Sequence, residues 1–118
     1  MKRVKVGGVF YKISFVEDPR TMGPTVNDSH GWCWGLTDFR GKTITVYNDP
    51  SKEGQRITFF HELAHAIVDG YHIKNMRDED GTHNEDAIDL WGVGLAEAFD
   101  SLGIDILKIV KETVVKVK

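Results

Sequence analysis

Cysteine is almost missing from this chain: Cys33 is the only one in 118 residues. A single thiol forms no internal disulfide and builds no thiolate-rich zinc site. Within Gly31-Trp32-Cys33-Trp34-Gly35-Leu36 it reads as a half-buried strand residue rather than a nucleophile. Long apolar runs are missing too, so no stretch reads as a membrane span. Met1-Lys2-Arg3 is basic, but Val4-Lys5-Val6-Gly7-Gly8 interrupts any signal-peptide core, and the chain is expected to stay in the cytoplasm. Neither sign of charge dominates. The 15 Lys and Arg residues against 18 Asp and Glu leave a net charge of −3, which gives no electrostatic case for binding nucleic acid. No internal repeat or low-complexity segment is present. What remains is an ordinary globular balance, 41% hydrophobic and 28% charged. The length suits one domain with one core, so residues 1–118 are read as a single domain.

The N-terminal part reads as strands. Val4-Lys5-Val6 and residues 10–16 flank Gly7-Gly8, a hairpin signal. Residues 19–30 are polar with Gly and Pro and read as a loop. Residues 31–36 and 42–47 form a second expected hairpin, turning at Asp38 to Gly41. In its second strand Ile44 and Val46 alternate with Thr43, Thr45 and Tyr47, which puts core on one face and polar groups on the other. Trp32 and Trp34 share a side. They read as core aromatics of that hairpin, with an aromatic rim on a cleft as the other reading. Asp49-Pro50 resembles a cap followed by Pro at the first helical position. The tail divides between helical spacing at 106–110 and strand-like alternation at 113–118.

The chemistry is concentrated in His61-Glu62-Leu63-Ala64-His65, an H-E-x-x-H motif. It lies in residues 56–70, which contain no Pro and end on Gly70, a common C-terminal helix residue. Phe60, Leu63, Ala64, Ile67 and Val68 recur at helical spacing. On a helix, residues four apart stack on one face, so His61 and His65 can offer two imidazoles to one metal ion. Glu62 is offset by about 100° of helical turn, given roughly 3.6 residues per turn. That places a carboxylate beside the ion rather than on it, where it can take a proton from a water acidified by zinc. The pattern predicts metal-assisted hydrolysis. Two core histidines satisfied by backbone carbonyls are the plain alternative, and two stacked imidazoles are awkward to satisfy that way.

A catalytic zinc site uses three protein ligands, so a third is needed. The candidates are His72, His83, Glu85, Asp86 and Asp89. A second helix is expected from about Thr82 to Ser101, with Ala87, Ile88, Trp91, Leu95, Ala98, Phe99 and Leu102 on its apolar stripe. Glu85 and Asp89 lie one turn apart on one face. Gly92 continues that face with no side chain to hold two helices apart. Glu85 also fits a capping box with Thr82, and Asn84 is an alternative cap. Asp89 fits a ligand or a carboxylate that orients an imidazole.

Residues Thr58-Phe59-Phe60-His61-Glu62-Leu63-Ala64-His65-Ala66-Ile67 resemble the active helix of the ImmA/IrrE family of zinc metallopeptidases, especially its short phage-borne members. Glu85-Asp86-Ala87-Ile88-Asp89-Leu90-Trp91-Gly92-Val93-Gly94-Leu95 is similar to the later helix of that family. The likeness covers about residues 4–100. Asp86 stands where a second Glu is common, Gly92 replaces a frequent Ala, and the spacing from His65 to Glu85 is short. The resemblance implies a small α+β zincin-like domain with antiparallel strands first, then the H-E-x-x-H helix, then a helix bearing the third ligand. It implies Zn2+ held by His61, His65 and Glu85, with Glu62 as catalytic base and a protein or peptide as substrate. Tyr47, Tyr71, His72 and His83 are candidate donors to an oxyanion. A zinc-containing module that docks a phage or host protein without cleaving it is the competing expectation, and a zinc hydrolase acting on a small molecule is a third.

Overall fold

The computed structural model describes residues 2–18, 34–48 and 50–111. Four strands and three α-helices run in the order β1 (Arg3–Val6), β2 (Val9–Val16), β3 (Gly35–Asp38), β4 (Thr43–Tyr47), α1 (Lys52–Gly70), α2 (Glu85–Ser101) and α3 (Ile106–Val110). The chain is therefore α+β. A 3-10 turn at Lys74–Met76 lies between α1 and α2.

Both expected hairpins form. Gly7 and Gly8 take φ of 59° and 85° in the first turn, the left-handed pair that a two-residue hairpin loop requires. In the second, Asp38 Oδ1 accepts from the backbone N–H groups of Arg40 (3.0 Å) and Gly41 (2.9 Å). That local bond turns the chain without a ladder partner. The strand before this turn covers Gly35–Asp38 rather than 31–36, and Trp32 and Cys33 lie outside the described residues.

The sheet is mixed, not antiparallel throughout as expected. Its order is β1-β2-β4-β3, and β2 pairs parallel with β4, Ile13 opposite Ile44. A parallel neighbour needs a long crossover, which residues 17–42 supply while carrying β3 to the outside. This leaves β3 at the sheet edge beyond β4. Tyr11, Ile13, Ile44 and Val46 point to one face and are buried against Phe59, Phe60 and Ala66 of α1. The opposite face is more open. Trp34 lies there, 41% exposed, with its ring 5.2 Å from that of Tyr47. The core reading of Trp34 is thus incorrect: it directly precedes β3, whose Gly35 and Thr37 take the side facing α1.

Helix α1 begins at Ser51, whose hydroxyl accepts from Gly54 N–H at 3.1 Å. Asp49 is outside the described residues, and Pro50 precedes the cap rather than opening the helix. The helix ends in a Schellman motif. The N–H groups of His72 and Ile73 reach back to the carbonyls of Asp69 (3.4 Å) and Val68 (3.1 Å). His72 takes the left-handed residue, φ 53°, so Gly70 is not the terminator. It packs against the first hairpin turn, where a Cβ on Gly7 would stand 3.0 Å from the Gly70 carbonyl oxygen.

Helix α1 is buried on two sides because the sheet covers one and α2 the other. Ala64 and Val68 pack with Ile88 of α2, Ile73 and Met76 in a second apolar cluster. The buried stripe of α2 is Ile88, Gly92 and Ala96, with Leu95 and Phe99 packed against the main core. Trp91 and Leu102 were expected on that stripe and are instead exposed. Gly92 draws the stripe toward itself, since α2 meets α1 most closely where no side chain intervenes.

Candidate metal centre

The histidine helix and the head of α2 meet at one point. His61 Nε2 and His65 Nε2 are 3.2 Å apart. Glu85 Oε2 lies 3.2 Å from the first and Glu85 Oε1 3.2 Å from the second. A tetrahedral zinc with bonds of about 2.0–2.1 Å separates its ligand atoms by about 3.3 Å. This triangle therefore fits a metal ion with little adjustment, and among the described residues these three come together as a candidate ligand set. The donor set, two imidazoles and a carboxylate, suits zinc and related divalent ions.

Two local structures aim Glu85 at the histidines. Asn84 caps α2, its Oδ1 accepting from Ala87 N–H at 2.9 Å. Thr82 does not cap: its hydroxyl donates to Asp80 Oδ1 at 2.6 Å. Glu85 is thus the first helical residue rather than the third, and the capping-box reading falls. The second structure is Gly92. A Cβ there would stand 3.1 Å from the Ile57 carbonyl oxygen and 3.2 Å from His61 Cα. The two helices touch backbone to backbone beside the ligand residue, which brings the first turn of α2 within reach.

Each imidazole is backed on its other nitrogen. His61 Nδ1 donates to Asp89 Oδ1 at 2.7 Å, a bond that would leave the Nε2 lone pair for an ion bound in the triangle. His65 Nδ1 lies 2.8 Å from His83 Nδ1, and the two rings stack with centroids 5.0 Å apart. An ion bound at His65 Nε2 would put the His65 proton on Nδ1, with His83 as its acceptor. Burial first, then His65 and Arg77, lower the His83 pKa and keep that ring neutral and able to accept. The loop holding His83 is pinned. Asp78 N–H donates to the Thr82 carbonyl, Asn84 N–H to the Met76 carbonyl, and the Arg77 guanidinium to the Gly81 carbonyl.

Glu62 occupies the sheet side of the site. It is 7% exposed, and its Oε2 lies 3.9 Å from His61 Nε2. The Thr37 hydroxyl, on β3, donates to Glu62 Oε1 at 2.8 Å. Burial raises the Glu62 pKa, with His61, His65 and Thr37 pulling it back only in part. Glu85 goes the other way: its hydrogen bonds to His61 and His65 hold its carboxyl well below the usual range. Burial opposes charging His61, but Glu85, Glu62 and Asp89 outweigh it and raise the His61 pKa.

The other candidates have different places. His72 terminates α1. Asp86 is exposed and lines, with Phe39, Asp69, Arg77, His83 and Glu85, an open cavity of about 810 Å³ beside the triangle. Of the four candidate oxyanion donors, His83 borders that cavity. Tyr47 stacks on Trp34 across the sheet, and Tyr71 and His72 end α1. Sequence reasoning missed Thr37 and Gly35. Both sit on β3, and nothing in their local pattern marks them as neighbours of Glu62.

Comparison with family models, with curated proteins and with solved structures finds no match for this chain in any of the three.

Proposed function

We propose that this chain is a zinc-dependent metallopeptidase. The observation that carries the reading is the pairing of a compact His61–His65–Glu85 triangle with a separate, buried Glu62 carboxylate beside it. A purely structural ion has no use for that second carboxylate. His61, His65 and Glu85 would hold the ion, which when bound polarises a carbonyl and acidifies water. Glu62, with its raised pKa and its Oε2 facing the site, takes the proton of the attacking water and passes it to the leaving amine. Asp89 and His83 keep the two imidazoles in the required tautomer and orientation.

The sheet edge supports a peptide substrate over a compact small molecule. Tyr47 N–H donates to the Trp34 carbonyl at 2.8 Å. In an antiparallel pair hydrogen-bonded residues alternate, so Trp34, Leu36 and Asp38 bond inward to β4. Gly35 and Thr37 then direct their backbone groups to the open edge, where no strand lies among the described residues. An extended peptide can add there as a further strand, passing the same residues that touch Glu62. The likeness of residues 58–67 to the ImmA/IrrE active helix points the same way, as does the α2 head carrying Glu85.

The test is Glu62→Gln in zinc-loaded protein, assayed on unfolded casein and a peptide library. Zinc stays bound and cleavage falls about 10²–10⁴-fold, the usual contribution of a general base. Equal cleavage by both forms would contradict the mechanism. Tight binding of one protein partner by both forms, with cleavage by neither, would assign a docking module instead.

A further inference from the structure

We infer that Thr37 is a positioning residue for Glu62: its hydroxyl pins one carboxylate oxygen so that the other faces the metal centre. The inference rests on the peptidase reading for its catalytic meaning, but its geometry stands apart from it. The two oxygens of Glu62 are not equivalent. Oε1 accepts from the Thr37 hydroxyl at 2.8 Å, while Oε2 lies 3.9 Å from His61 Nε2. The same hydroxyl lies 2.9 Å from the Glu62 main-chain carbonyl oxygen. One hydroxyl on β3 therefore lies within hydrogen-bond distance of both the main-chain carbonyl and the carboxylate of Glu62, sharing its single proton between them.

A second residue of β3 closes the grip. Gly35 lies two residues before Thr37 and so on the same face. A Cβ at Gly35 would stand 2.8 Å from Glu62 Cγ and 3.0 Å from its Oε2, and 2.6 Å from Thr58 Cγ2. The Glu62 side chain is held between the bare backbone of Gly35 and the hydroxyl of Thr37. It has no room to rotate toward the strand, and one of its oxygens is tethered by the hydrogen bond. A buried glutamate without such a partner samples several rotamers, and a proton acceptor must sit within hydrogen-bond reach of the proton it takes. Thr37 and Gly35 also form the stretch whose backbone faces the open edge. A peptide seated on that edge would bind directly over the residues that aim the base, which places seating and proton transfer in register.

The experiment uses the full chain with glutamate labelled by 13C at the side-chain carboxyl, the Glu62 resonance being assigned by its loss in Glu62→Gln. Thr37→Val keeps the β-branched shape and removes the hydroxyl, and Thr37→Ser restores the hydroxyl. The expected result is a displaced Glu62 carboxyl resonance in Thr37→Val and a near wild-type one in Thr37→Ser, with zinc affinity by chelator competition within about twofold in all three. On casein, kcat falls about tenfold to a hundredfold in Thr37→Val, as for loss of a hydrogen bond to a buried charged group. KM stays put, and Thr37→Ser recovers most of the rate. An unmoved Glu62 resonance in a folded Thr37→Val protein overturns the inference even if wild type is an active peptidase. A moved resonance, rescued by serine, upholds the positioning even if wild type cleaves nothing, and in that case only the peptidase reading fails.

Discussion

On the sheet side of His61 and His65 the carboxylate is Glu62, buried under β3 with its pKa raised by that burial. On the α2 side it is Glu85, whose side chain is 64% exposed and whose pKa is held well down by the two imidazoles it touches. Two glutamates a few ångströms apart are thus pushed in opposite directions by their surroundings. That separation fits the proposed roles, in which Glu85 would bind a cation as an anion and Glu62 would act as the base. On the proposed reading, the helix side would hold charge in place and the sheet side would move a proton.

The largest expected effect breaks this asymmetry outright. Glu85→Gln removes the anionic ligand and lowers zinc affinity by more than about a hundredfold, beyond what loss of a backing residue costs, measured by competition with a chromophoric chelator. Glu62→Gln changes affinity by only a few-fold in the same assay. If both variants lose zinc equally, the two carboxylates have not been distinguished.

The backing residues sharpen the contrast between the two imidazoles. Asp89→Ala and His83→Ala should each weaken zinc binding about 10–100-fold. Asp89 carries charge to His61 and His83 does not carry it to His65. The Asp89 variant is therefore expected to lose more, by competition titration at pH 7.5. A reversed order would mean that stacking of His83 on His65 matters more than charge.

In the metal-free protein the opposite shifts give opposite stability effects. The His61 pKa is raised, so its contribution is present in full below its ordinary 6.5 and is lost as pH rises through the higher folded value. The Glu85 pKa is lowered, so its contribution is present above its ordinary 4.5 and is lost as pH falls through the lower folded value. Glu85→Gln should accordingly lower the metal-free Tm most between pH 4.5 and 6.5. Glu62 is a carboxylate with a raised pKa, which disfavours the fold at neutral pH and does so less as pH falls. Glu62→Gln should raise the metal-free Tm at pH 7.5, with a smaller gain at pH 5. Differential scanning fluorimetry across that range checks both signs.

The smallest effect concerns the head of α2. Asn84→Ala should cost about 0.5–2 kcal/mol, read from urea unfolding, whereas Thr82→Ala on the neighbouring turn should cost less.

The helix side was the legible side. Four-residue spacing places His61 and His65 together on any helix, and Gly92 marked the close approach before any coordinates did. Glu85 was one of five downstream candidates, and it also had a capping reading because Thr82 and Asn84 both look like caps; the bond from Ala87 to Asn84 decides between them. The sheet side was not legible. Which strand becomes the edge depends on β2 pairing parallel with β4 across residues 17–42, a long-range choice that alternation within a strand cannot encode. Thr37 and Gly35 therefore carried no local signal, and Trp34 faced the opposite side from the one expected. On α2, simple helical counting put Trp91 and Leu102 inside, since it could not know that packing would centre on a glycine.

His61, His65 and Glu85 are proposed to hold one metal ion. Elemental analysis of protein dialysed after zinc loading tests it most directly, comparing wild type, Glu85→Gln and the double variant His61→Ala with His65→Ala. About one zinc per wild-type chain is expected, with a substoichiometric amount in Glu85→Gln and none in the double variant. Full zinc in the double variant would contradict it.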